Sequence, residues 1–79
     1  MFYVYVLRSL KTGRRYVGQT NDLWRRFQEH ESGMTESIKH QTPFAIERVE
    51  LHADRIGAIK RERWLKSGVG REWLDDTNG

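Results

Sequence analysis

The sequence predicts an α+β fold, on three observations. An unbroken β-branched and aromatic run, Phe2 to Leu7, is followed by a second strand-like run from Arg14 to Thr20. Two later stretches space their apolar residues as helices do, and each is preceded by a residue able to cap it. The 79 residues suit one domain, spanning 1–79.

Phe2 to Leu7 lacks polar alternation, the pattern of a strand covered on both faces. Leu10-Lys11-Thr12-Gly13 reads as a turn, with Gly13 able to take positive φ, and Arg14 to Thr20 returns as the second arm of a hairpin. Tyr5 and Tyr16 share a face if they pair directly, which needs the turn centred between Leu10 and Lys11; Gly13 can shift that register, and the sequence leaves it open. Asn21-Asp22 offers an N-cap and a first-turn carboxylate for a helix to about Ser32, with Gly33 as its stop. At about 100° per residue, Leu23 and Phe27 mark its buried stripe, and Arg26 and His30 fall at the stripe's edge.

Met34 to Thr42 reads as a polar loop. Pro43 can open a strand without costing a ladder bond, and Phe44 to Leu51 continues it. Asp54 caps a second helix from Arg55 to about Lys66, with Ala58, Ile59 and Leu65 on one arc and Glu62 inside it. Ser67-Gly68-Val69-Gly70 reads as a break. A last helical turn or two follows over Arg71 to Asp75, then a frayed tail from Asp76 to Gly79.

A chain this short buries a thin core, so its three Trp, three Tyr and three Phe must carry much of the apolar bulk. It has no cysteine, which excludes disulfides and Cys-based zinc sites and fits a reducing cytoplasm. Its opening run is too short to span a bilayer and has neither a basic leader nor a cleavage site, so a soluble, cytoplasmic protein without a membrane partner is expected. Fourteen basic residues against eleven acidic give a net charge of +3, a modest bias toward nucleic acid.

Several side chains suit phosphodiester chemistry. Glu62, a carboxylate within an apolar arc, needs a cation: either Mg²⁺ or Mn²⁺, or Lys66 four residues on. Arg26 has the planar fork that fits a phosphate, or is a solvated arginine beside Arg25. Tyr5 and Tyr16 can orient or deprotonate a water, or simply pack a sheet face, as Tyr3 is expected to do. His30 can relay a proton or fill space, and Lys39 and His40 can touch a nucleic-acid backbone or stand in solvent. Lys60, Arg61, Arg63 and Lys66 make the second helix basic, by default a solvated face.

Tyr3-Val4-Tyr5, Tyr16-Val17-Gly18, Arg26, His30 and Glu62, in that order, resemble the GIY-YIG nuclease domain. Only the terminal Tyr of its first tripeptide is kept, and the second is matched more closely. Lys60 to Gly68, with Gly70-Arg71-Glu72-Trp73-Leu74, resembles the C-terminal signature of the small stand-alone members, which are similar to the N-terminal nuclease domain of UvrC. The resemblance implies a three-stranded antiparallel sheet flanked by helices, one divalent ion (Mg²⁺ or Mn²⁺) on Glu62, and hydrolysis by direct water attack. Tyr5 and Tyr16 would share the water and base roles, Arg26 would stabilise the transition state, and His30 would assist.

Two departures stand beside it. No Asn follows Glu62 until Asn78, where larger members place one near the site, and there is no room for a separate DNA-binding domain. The expectation is a metal-dependent endonuclease acting on nucleic acid, DNA over RNA, with a protein partner that supplies DNA binding or a homodimer both possible. The alternative is a catalytically weak or inactive nucleic-acid-binding adaptor on the same fold.

Overall fold

A computed structural model describes residues 1–32 and 40–78. The order of elements is β1 (Phe2–Ser9), β2 (Arg15–Thr20), α1 (Leu23–Glu31), β3 (Phe44–His52), α2 (Arg55–Lys66) and α3 (Gly68–Asn78). The strands form one antiparallel sheet in the order β2-β1-β3. The expected sheet and flanking helices are therefore present.

The apolar run of β1 makes it the central strand. Val4, Tyr5, Val6 and Leu7 are all buried, as expected for a strand covered on both faces. Because side chains alternate, β1 serves two cores. Val4 and Val6 pack against Ala58 and Leu65 of α2 and Leu74 of α3, with Phe2, Val17 and Trp73 at the margin. Tyr5 and Leu7 pack on the other face with Phe44, against Tyr16, Leu23 and Phe27. The helices α2 and α3 thus cover one face, and α1 lies on the other.

The hairpin register is the alternative that the sequence left open. Tyr5 pairs with Gly18 and Leu7 with Tyr16, so the two tyrosines are offset by one diagonal step yet keep a common face. Gly13 takes φ +78°. Ser9, buried at the end of β1, organises the turn: its Oγ accepts from the Lys11 and Thr12 amides and donates to the Gln41 carbonyl. Asp22 caps α1 by accepting from the Arg25 amide at 3.1 Å, and Asp54 caps α2 by accepting from Gly57 at 2.7 Å. Asp22 is thus the cap itself rather than a first-turn carboxylate. Gly33, the expected stop of α1, lies outside the described residues.

The C-terminus is more helical than expected. The break is a single residue, Ser67, and α3 runs from Gly68 through Asn78 rather than over a turn or two. Ser67 is extended, and its Oγ accepts from the Gly70 amide while its carbonyl accepts from Arg71, so it ends one helix and caps the next. Gly70 permits the corner: a Cβ there would lie 2.6 Å from Leu65 Cα and closer still to the Trp64 carbonyl oxygen. Trp73 then packs edge-on to Trp64, with ring centroids 5.7 Å apart.

Arg61 of α2 and Arg8, Arg15 and Arg48 of the sheet are engaged with acids, whereas Lys60 and Arg63 lie on the exposed face that the sequence suggests. Arg61 and Arg48 both hold Glu50, and both guanidiniums lie over Trp73, at 4.8 and 4.6 Å. Burial pushes the Glu50 carboxyl up, but the bonds from Arg61 and Arg48 outweigh it and bring it down to about 2. Across the sheet, Glu47 bridges Arg8 at 2.6 Å and Arg15 at 2.7 Å. Burial likewise raises Glu47, and the two arginines reverse it, leaving its pKa lowered. No helix is long and apolar enough to cross a membrane among the described residues.

Candidate active site

Tyr5 is the hub of the residues that the sequence singles out. Its hydroxyl lies 3.0 Å from His30 Nε2. The two residues are 4% and 5% exposed, so the pair is shielded from bulk water. Strand β1 and helix α1 bring it about: Tyr5 projects from the sheet face that α1 covers, and His30 sits in the last turn on the stripe set by Leu23 and Phe27.

The pair depends on a missing side chain. Gly18 faces Tyr5 across the hairpin, and a Cβ on it would fall 2.6 Å from Tyr5 Cζ and nearer still to the hydroxyl. The phenol therefore bends over Gly18 toward His30, which is a close approach by a side chain rather than a bulge.

Arg26, one turn before His30, completes this group. The Tyr5 phenol is the largest influence raising the Arg26 pKa, burial opposes it, and Glu29 adds to the rise. The hydrogen bond that the guanidinium makes is to Glu29, at 3.2 Å. His30 is pushed below its ordinary pKa, first by burial and then by the Arg26 charge, so its imidazole is held neutral. Its Nδ1 is buried without a partner among the described residues, which leaves Tyr5 as the group that orients the ring.

Tyr16 stands on the edge strand, half-buried, edge-on to Phe44 at 5.7 Å; His30 meets the same Phe44 ring at 6.3 Å. Phe44 is thus the floor between Tyr16 and the Tyr5–His30 pair. From the sequence Phe44 is only part of the strand that follows Pro43, although an aromatic directly after that proline is the available signal.

Glu62 is not drawn into this group. It lies on α2, which packs on the opposite sheet face, and its carboxylate accepts from Lys66 at 2.6 Å. Its side chain keeps 20% exposure, so the apolar arc shields it only partly. No group of three or more His, Cys, Asp or Glu is placed to hold a metal among the described residues. One hard carboxylate does fit Mg²⁺ or Mn²⁺ when waters and a substrate phosphate complete the shell.

The two halves meet at the β2 edge. There a cleft of about 210 Å³ is lined by Tyr16 together with Lys66, the partner of Glu62. His40 is exposed in a short turn before β3, and Lys39 lies outside the described residues.

The family model described as the GIY-YIG catalytic domain matches residues 1–73. Among solved structures, the chain is similar to a UPF0213 protein from Bacillus halodurans, determined by solution NMR, at 30% identity and a TM-score of 0.60. That match covers 100% of this chain and 88% of the other. No curated protein matches significantly. With Tyr5, Tyr16 and Gly18 on facing strands and the family model spanning nearly the whole sequence, the chain belongs to the GIY-YIG family.

Proposed function

We propose that this chain is one nuclease domain, a metal-dependent endonuclease that hydrolyses phosphodiester bonds, in DNA over RNA, by direct attack of water. The observation that carries this reading is the buried Tyr5–His30 hydrogen bond beside Arg26. A phenol can take a proton from water only if its own proton has somewhere to go. Tyr5 has such an acceptor at 3.0 Å, an imidazole kept neutral by burial, whereas Tyr16 has no hydrogen-bond partner among the described residues.

The roles follow. Tyr5 removes a proton from the attacking water as its hydroxyl proton passes to His30 Nε2, which requires the tautomer with the proton on Nδ1. Arg26 binds the phosphate and stabilises the charge that grows on its oxygens. Tyr16, half-exposed at the sheet edge, orients the water. Glu62 would hold the divalent ion, which when bound supplies charge neutralisation at the phosphate, and Lys66 must release the carboxylate for it.

The test compares wild type with Tyr5→Phe and Glu62→Ala on labelled single-stranded, duplex, flap and branched DNA and RNA, in Mg²⁺, Mn²⁺ or EDTA. Metal-dependent cutting lost in both variants supports the reading. Equal background in all three proteins refutes it.

The pairing of Glu62 with Lys66, on the opposite sheet face from Tyr5, favours a second reading as a nucleic-acid-binding adaptor. An adaptor should bind equally well after Glu62→Ala and need no metal.

A further inference from the structure

The β2 edge carries more positive charge than the fold uses. A cleft of about 510 Å³ opens there, lined by Gly13, Arg14, Arg15, Tyr16, Arg71 and Asp75. The cleft that Lys66 lines adjoins it, sharing Arg15, Tyr16 and Arg71. These residues come from the hairpin turn, the edge strand and the first turns of α3. Gly70 sets the last of these, because the tight α2–α3 corner that it allows brings Arg71 to the same wall as Tyr16.

Arg15 is 16% exposed and bonded to Glu47 and Asp75, so it is part of the wall. Asp75, the acid of the cleft, is taken up by that bond. Lys66 is taken up by Glu62. Arg14 and Arg71 are both exposed, and neither guanidinium makes a hydrogen bond or ion pair among the described residues. Two solvent-facing arginines without an acid partner among the described residues thus share a cleft whose one acid, Asp75, is already paired. Two separate guanidinium forks suit an anion with successive charged groups.

We propose that this cleft is a subsite for the sugar-phosphate backbone of a nucleic acid, in which Arg14 and Arg71 each take a phosphate and Tyr16 forms the wall shared with the candidate active site. The choice of a nucleic acid among polyanions rests on the nuclease reading; the location of the site rests on the geometry.

The experiment uses the whole chain in EDTA, so that binding is read without cleavage. Fluorescence anisotropy of labelled duplex and single-stranded DNA is followed over a series of salt concentrations. For Arg14→Gln/Arg71→Gln we expect roughly tenfold weaker binding at low salt, and a log–log salt slope on duplex shallower by about 2, at about 0.9 per phosphate contact. Lys60→Gln/Arg63→Gln removes the same charge from the exposed surface of α2, outside the cleft, and should leave most of the slope. An unchanged slope in the first variant, or an equal loss in the second, overturns the proposal.

A ¹⁵N titration of wild type with the same unlabelled DNA gives a footprint that needs no variant. Shifts at residues 13–17 and 67–75 are expected. Shifts only elsewhere, or shifts there with an acidic peptide but not with DNA, overturn the assignment. Weak binding with cleavage intact in the Arg14/Arg71 variant faults neither reading; normal binding in that variant faults the cleft alone, and absent cleavage by wild type with binding intact faults the nuclease reading alone.

Discussion

The Tyr5 hydroxyl and His30 Nε2 lie 3.0 Å apart in a site closed to bulk water, and each is the other's side-chain hydrogen-bond partner there. Neither residue can be changed without stranding a buried polar atom. Tyr5→Phe keeps the ring over Gly18 and removes only the hydroxyl, leaving His30 Nε2 unpaired. Stability should fall by about 1–3 kcal/mol, measured by urea denaturation. If the proposed roles hold, cleavage should fall on the order of 10²-fold or more, beyond what partial unfolding explains. A loss of stability with cleavage unchanged would leave the pair a structural one.

The close approach at Gly18 gives a second expectation. Gly18→Ala puts a methyl group where the Tyr5 ring lies, so the ring must move and its bond to His30 must break. A loss of about 1–3 kcal/mol is expected from the forced shift. Tyr5→Leu in the Gly18→Ala background should cost less than the two single changes together. A double-mutant cycle in denaturant tests this, and additive effects would refute the contact.

Within α3, two glycines should behave oppositely. A Cβ on Gly68 meets nothing within 4 Å, whereas one on Gly70 meets Leu65 and the Trp64 carbonyl. Gly68→Ala should be neutral or stabilise by up to about 1 kcal/mol, through reduced freedom of the unfolded chain. Gly70→Ala should destabilise by about 3 kcal/mol and change tryptophan emission as Trp73 leaves Trp64. Thermal melts followed by fluorescence compare the two.

Acid should act in two separate windows. The folded chain binds a proton at His30 less readily than the unfolded chain, whose His titrates near 6.5. The neutral imidazole therefore adds stability above that value, and this is lost as the pH falls from 6.5 toward the lowered folded pKa. Glu50 titrates at about 2 when folded and at 4.5 in the unfolded chain. Its contribution, on the order of 2 kcal/mol, is complete above 4.5 and lost as the pH falls through 4.5 toward 2. Melting temperatures against pH should show two declines. His30→Gln should flatten the first and Glu50→Gln part of the second, which Glu47 shares; declines unchanged in both variants would contradict the assignment.

Much of this architecture was legible because the local signals were chemically specific. Asp22 and Asp54 marked helix starts, the apolar run of Phe2 to Leu7 marked a strand buried twice, and the Leu23–Phe27 stripe put Arg26 and His30 at its edge, where the structure buries His30 and leaves Arg26 partly exposed. What the sequence did not disclose depends on long-range approach. Nothing local to Gly18 says that a tyrosine thirteen residues earlier lies over it, and Gly70 reads as a breaker until the α2–α3 corner is seen. Ser67 alone makes that break, so the residues after it were free to start a helix at once. Glu62 was read from its arc, but an arc fixes only a direction from the helix axis, and Lys66 was within reach of its carboxylate. Arg14 and Arg71 carry no local signal, because their shared cleft joins segments more than fifty positions apart.

The Tyr5 ring lying against Gly18 also constrains how this sequence can change over generations. Every other encoded amino acid carries a Cβ, so each single-step replacement of that glycine meets the Tyr5 ring. The way to make room is to shorten residue 5, and any shorter side chain there deletes the hydroxyl that orients His30. A lineage cannot drift gradually through either position: it must abandon the phenol first, or leave both residues as they are.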